Sequence, residues 1–201
     1  YKENRMEGYN FHSDLTFITN EAGQSLKNRF EELIKDSRYF DCLVGYFYLS
    51  GFHSIYKSLE NTEKIRILIG ISVSKNTYDT LNQAKNSPLS HYETKEVLSN
   101  TIEGEMAESD DKPEIDEGVS KFIEWIRSGK LEIRAYPSQN IHAKVYIMTF
   151  KEGDRDVGRV ITGSSNFTQA GLAGNLEFNV ELKNRNDYEF ALNKFNELWQ
   201  N

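Results

Sequence analysis

The chain of 201 residues contains one cysteine, Cys42. One thiol cannot close a disulfide within the chain, which excludes a disulfide framework and any zinc site built on cysteines. Proline is scarce, with three residues, and no low-complexity tract or internal repeat is present. Long hydrophobic runs are missing too. None approaches the ~20 residues that span a bilayer, and neither an apolar interfacial helix nor a lipid-anchor motif is evident. A basic excess is also lacking: 24 Lys and Arg stand against 31 Asp and Glu, a net charge of −7. Taken alone, that balance counts against a nucleic-acid partner, whose phosphates call for a basic field. No signal-peptide pattern opens the chain, which starts at Tyr1 and ends just after an amphipathic run. These features lead to the expectation of a segment from a longer polypeptide, in a cytoplasmic setting that suits a free thiol.

Large apolar side chains are plentiful, including 12 Phe, 11 Tyr and 2 Trp. A chain of this length can bury a substantial core with them, so global disorder is excluded and one domain over residues 1–201 is expected. The acidic balance is local. Residues 93–117 hold ten acids against Lys95 and Lys112, a net of −8, while the remainder sums to +1. Residues 101–117, with Gly104 and Pro113, read as an exposed acidic loop or insertion.

Periodicity gives the coarse architecture. Residues 25–37 place Leu26, Phe30, Leu33 and Ile34 on one helical face. The aromatic-rich run 39–49 has strand length, 51–59 returns to helical spacing, and 65–71 is branched and apolar. Strand, short helix and buried strand make a βαβ unit, with parallel strands joined by a right-handed crossover. Residues 76–100 read as helix, 119–127 as a helix ended by Gly129, and 131–136, 141–149, 157–162 and 175–182 as strands. Residues 151–156 form a polar hairpin loop, and 187–199 a closing helix with Tyr188, Ala191, Leu192, Phe195 and Trp199 on one face. The expected fold is α/β: a mixed, mostly parallel sheet flanked by helices on both faces.

Three segments in the last third carry chemistry. In 141–149, His142, Lys144 and Tyr146 alternate with apolar residues, which puts the imidazole and the ammonium on one strand face about 7 Å apart. Gly163-Ser164-Ser165-Asn166 is a tight polar turn at a strand end, offering backbone N–H groups, a hydroxyl and an amide to phosphate oxygens. In 175–180, Leu176, Phe178 and Val180 face one way, and Asn175, Glu177 and Asn179 the other. Alone, each segment has an ordinary reading as solvated strand face or turn. Their order and spacing join them. The aromatic run Tyr39, Phe40, Tyr46, Phe47 and Tyr48 could stack bases, but it reads as a core strand and is assigned no site.

His142-x-Lys144, Gly163-Ser164-x-Asn166 and a glutamate eleven residues further on, Glu177, resemble the phospholipase D superfamily, and the run 163–172 is particularly like its bacterial DNA-acting branch. That branch holds single-motif nucleases, metal-independent restriction endonucleases and phospholipase D-like domains at the N-terminus of helicases. The resemblance implies a metal-independent phosphodiesterase that acts on DNA without a cofactor, the nuclease-like domain of a larger helicase or restriction protein. It implies His142 as nucleophile, Lys144, Ser164 and Asn166 as phosphate-binding groups, and Glu177 as the carboxylate that orients an imidazole. Gly163 and Asn179 support them. The chain has one such motif where the chemistry uses two imidazoles, so the resemblance implies a homodimer with its site at the two-fold axis. One departure is plain: the family's acidic position, five residues after the lysine, is Thr149, for which only the loop residues Asp154 and Asp156 could substitute. Thr149 favours the alternative, a nucleic-acid-binding or dimerisation module of a helicase with little or no turnover. Phospholipid hydrolysis ranks below both.

Overall fold

A computed structural model describes residues 16–21, 23–70, 100, 115–136, 141–153 and 156–200. Among these residues, seven strands form one sheet: β1 (Phe17–Ile18), β2 (Ser37–Val44), β3 (Lys64–Ile69), β4 (Leu131–Ala135), β5 (Lys144–Phe150), β6 (Gly158–Gly163) and β7 (Asn179–Leu182). Among the described residues, four α-helices accompany them: α1 (Leu26–Ile34), α2 (Leu49–Ile55), α3 (Ile115–Ser128) and α4 (Arg185–Gln200). The strand order is β1-β7-β6-β5-β2-β3-β4.

The sheet is mixed, but it is not mostly parallel. β2–β3 and β3–β4 run parallel, whereas β2–β5, β5–β6, β6–β7 and β1–β7 run antiparallel. The βαβ unit is present, with α2 and a 3-10 turn, Tyr56–Leu59, between β2 and β3. The excess of antiparallel pairs has a simple cause. The loop after β5, with Gly153 at φ +85°, is far too short for a parallel crossover, so β6 must return alongside β5.

Helices cover both faces. On one, α1, α2 and α3 bury Leu26, Phe30, Leu33, Phe52, Ile55, Phe122 and Ile123 against Phe40, Cys42, Ile67, Tyr146 and Met148 of the sheet. Ser25 starts α1 by accepting the Asn28 N–H on its hydroxyl at 3.1 Å. Phe30 then meets the rings of Phe40 and Tyr146 edge-on, with centroids 5.7 and 5.0 Å apart. On the other face, α4 packs Tyr188, Phe195 and Trp199 on Leu43, Leu68, Ile147 and Val160. Arg66 pins this helix. Its guanidinium grips the buried Asp41 through two bonds of 2.6 and 2.8 Å and lies over the rings of Phe195 and Trp199.

α3 starts at Ile115, four residues before the expected 119, so Asp116 and Glu117 belong to its first turn and not to the acidic loop. Glu117 thus sits at the positive end of the helix dipole. The expected helix over 76–100 and most of the acidic segment lie outside the described residues. No helix among the described residues is long and apolar enough to cross a membrane.

Candidate phosphate site at the strand ends

β5 begins at Lys144, so His142 does not share a strand with it as expected. Residues 141–143 form an extended lead-in laid across the ends of β2 and β3. Gly45 donates its N–H to the Ala143 carbonyl at 2.9 Å. A Cβ on Gly45 or Gly70 would stand 2.7 or 2.5 Å from the Ile141 carbonyl oxygen, so only glycine admits the crossing. The strand starts late because its partner stops: Val145 pairs with Thr162, and β6 ends at Gly163. His142 is exposed and Lys144 half-buried, and neither side chain has a hydrogen-bond or ion-pair partner among the described residues.

The sheet register aligns the remaining candidates. Val44 pairs with Lys144, Gly163 with Asn179 and Asn179 with Ile18, which places Lys144, Gly163 and Asn179 on one level across three strands. Gly163 is required there, because a Cβ would collide with the Phe178 carbonyl and stand 2.5 Å from the Asn179 Cα. The turn that follows is held from below. Asn179, fully buried, donates to the Ser165 hydroxyl at 2.8 Å and accepts the Ser165 N–H at 3.2 Å. The Tyr146 hydroxyl donates to the Ser165 carbonyl at 2.8 Å. Burial, then the neighbouring Cys42 and Glu177, pushes the Tyr146 phenol well above its usual range, so it remains a donor.

This clamp changes what the turn offers. The Ser165 N–H is spent on Asn179, and the Ser164 N–H on the Phe178 carbonyl at 3.0 Å. The expected supply of free backbone donors from these two residues is absent. The Ser164 hydroxyl is committed as well: it donates to the Glu177 carboxylate and accepts the Phe178 N–H at 2.9 Å. No hydrogen bond or ion pair joins Glu177 to His142 among the described residues. Among the described residues, the groups left without a partner are the His142 imidazole, the Lys144 ammonium and the Asn166 Oδ1, which is buried. A buried orphan of that kind costs about 1–3 kcal/mol.

Thr149 lies at the far end of β5, five residues and roughly 17 Å from Lys144, where its hydroxyl meets the Tyr188 hydroxyl at 2.7 Å. Asp156, one of the two possible substitutes, pairs with Arg159 at that same far end, and Asp154 lies outside the described residues. Of the other histidines, His53 is buried between α2 and α3, while His12 and His91 lie outside the described residues.

Sequence reasoning missed two features. It placed Tyr146 on a polar face, whereas the side chain is buried and holds the turn; its alternation with apolar neighbours looked like a half-exposed strand, but both faces are covered. It also read Leu176 and Phe178 as one apolar face of a strand. They precede β7, and they are 68% and 62% exposed. In the aromatic run, Phe40 and Phe47 are core, and Tyr48 is exposed.

The family model described as "Cardiolipin synthase, PLD-like domain" matches residues 30–199. No curated protein matches the chain. Among solved structures, the archaeal chromatin protein TrmBL2 is similar at 17% identity and a TM-score of 0.45, over 92% of this chain and 51% of that one. This chain thus spans about half its length. Nuc from Salmonella typhimurium, a phospholipase D family member, has 17% identity and a TM-score of 0.46 over 87% and 86% of the two chains. NucT from Helicobacter pylori has 12% identity and a TM-score of 0.45 over 87% of each.

Proposed function

The chain belongs to this phospholipase D-like domain family, and from that premise we propose that it is a metal-independent phosphodiesterase acting on DNA through a phosphohistidine. The observation that carries this reading is the pair of groups without a partner among the described residues at the strand ends, the imidazole of His142 and the ammonium of Lys144, beside Asn166 and the Ser164–Glu177 pair.

His142 attacks phosphorus with an imidazole nitrogen. A P–N bond forms, the P–O bond to the leaving strand breaks, and the departing oxygen takes a proton from a second imidazolium. Water then attacks phosphorus and passes its proton to that second imidazole, and the P–N bond breaks. Lys144 balances the charge on the non-bridging oxygens, and the Asn166 Nδ2 donates a hydrogen bond to one of them. Glu177 holds the Ser164 proton here and keeps a second oxygen for an imidazole. Because one chain supplies one such imidazole, the active unit is a homodimer. In the cell this domain would act as part of a larger helicase or restriction polypeptide.

The test is a nuclease assay in EDTA that compares the wild type with His142→Ala. Cleavage by the wild type alone supports the enzyme. DNA binding without cleavage by either protein supports a second reading, a non-catalytic DNA-binding or dimerisation module. That reading is favoured by Thr149, which faces Tyr188 where the family has an acid.

A further inference from the structure

Among the described residues, Asn20 is the one non-glycine residue with a positive φ, +61°. Asparagine tolerates this left-handed conformation better than most residues. Its side-chain amide spans three segments. The Nδ2 donates to the carbonyls of Gly171 and Asn175, each at 2.9 Å, and the Oδ1 accepts the Leu26 N–H at 2.8 Å. An asparagine amide has two N–H donors, so both are committed to one loop.

That loop, 166–177, runs from one candidate site residue to another. Near its start, Gly171 packs on Asn166: a Cβ there would stand 2.4 Å from the Asn166 carbonyl oxygen and 3.1 Å from its backbone nitrogen. The Thr168 N–H donates to that oxygen at 2.8 Å, and the Thr168 hydroxyl accepts the Gly171 N–H at 2.9 Å. The Gly171 carbonyl held by Asn20 therefore belongs to the tight turn that carries Asn166. At the other end, Asn175 lies two residues before Glu177, and the Glu177 N–H donates to the carbonyl of Thr19, next to Asn20, at 3.3 Å. Asn166 and Glu177 both lie outside the strands and helices, so loop contacts set their relative position.

We propose that Asn20 is a positioning residue for the phosphodiester chemistry: its amide ties the Asn166 turn to the Glu177 lead-in and so fixes the phosphate-binding amide relative to the carboxylate. The inference rests on the function proposed above and adds to it a residue that touches no substrate. Displacing a reacting group by about 1 Å can cost about a hundredfold in rate, far more than the lost bonds weigh in folding. Phe167 and Leu172, both fully buried, keep the loop seated on the core without Asn20. The loop should therefore loosen, not unfold.

The experiment compares the wild type with Asn20→Gly, Asn20→Asp and Ser25→Ala. Glycine keeps the positive φ and removes the amide. Aspartate keeps the acceptor for the Leu26 N–H and turns a carboxylate oxygen toward the two carbonyls. Ser25→Ala removes the 3.1 Å cap bond of α1 and leaves the 166–177 loop untouched. It controls for lost stability, with a melting temperature expected to fall by roughly 2–4 °C. Cleavage of a DNA oligonucleotide in EDTA, well below every melting temperature, gives kcat and KM, and amide hydrogen exchange reports on the Glu177 N–H. Both Asn20 variants should lose at least about tenfold in kcat with KM changed less than about threefold, since contacts to the rest of the strand are intact. Glu177 exchange should accelerate in the same two variants, and Ser25→Ala should keep both kcat and Glu177 protection. A wild type that cleaves nothing in EDTA would overturn the phosphodiesterase reading and the role of Asn20 with it. An active wild type whose Asn20 variants keep kcat, or raise KM alone, would overturn the positioning role only, as would an equal loss of kcat in Ser25→Ala. Wild-type kcat in Asn20→Asp beside a loss in Asn20→Gly would assign the effect to the Leu26 contact and also overturn it.

Discussion

Replacing Asn179 by Leu tests whether the turn carrying Ser164 and Asn166 is held from below. Leucine keeps the branched shape and removes both polar atoms. Asn179 and Ser165 are each fully buried, so no solvent takes over. The substitution strands the Ser165 N–H, now bonded at 3.2 Å, and deletes the 2.8 Å bond to the Ser165 hydroxyl. An orphaned buried donor costs about 1–3 kcal/mol, and the second bond is worth about 1, giving a total near 2–4 kcal/mol. For a chain of this size that lowers the melting temperature by roughly 5–15 °C. Tyr146→Phe removes one bond, to the Ser165 carbonyl, and should cost about 1–2 kcal/mol. Both changes loosen the same residue, so the double variant should lose at least ~0.5 kcal/mol less than the sum. Urea melts of the four proteins measure this cycle. A loss below ~1 kcal/mol for Asn179→Leu, or additivity within ~0.3 kcal/mol, would refute the clamp.

Other consequences follow from the packing. Arg66→Met leaves the Asp41 carboxylate buried without its guanidinium and should cost about 3–5 kcal/mol in a denaturant melt at neutral pH. Burial raises the Asp41 carboxyl above its ordinary value, with Arg66 offsetting part of the rise. Its contribution to stability therefore grows as pH falls through the raised pKa and is complete below the unfolded value near ~4; the difference from Asp41→Asn should increase on acidification across that window. The His53 imidazole is lowered by burial, then by Lys57 and Lys27, so its stabilising share is present above the unfolded value of ~6.5 and lost as pH falls through the lowered one. His53→Gln should flatten the melting-temperature profile on that side and leave it unchanged above. Gly163→Ala should disrupt the β6–β7 register, seen as lost amide protection at Ser164 and Phe178.

Much of this molecule is legible in the amino-acid order because burial is periodic. The 3.6-residue spacing of Leu26, Phe30, Leu33 and Ile34 marks α1, and that of Tyr188, Phe195 and Trp199 marks α4. Strand direction is not encoded that way. The parallel–antiparallel balance depends on which neighbour β5 joins, and it sits beside β2 because Gly45 and Gly70 let the 141–143 lead-in cross. For the candidate site, the motif residues give the cast, and the register brings Lys144, Gly163 and Asn179 to one level. Their hydrogen-bond allegiances were hidden. The Ser164 hydroxyl and the Ser165 N–H are turned inward by partners fourteen or fewer residues away in sequence, in a contact that alternation alone cannot distinguish from a wet edge strand.

The central claim is that His142 becomes covalently phosphorylated. Acid-labile, alkali-stable label should be found on His142 by mass spectrometry when wild-type protein in EDTA is quenched during cleavage of a labelled oligonucleotide, and His142→Ala should carry none. Cleavage with no adduct on His142, or an adduct that persists in His142→Ala, would contradict the account.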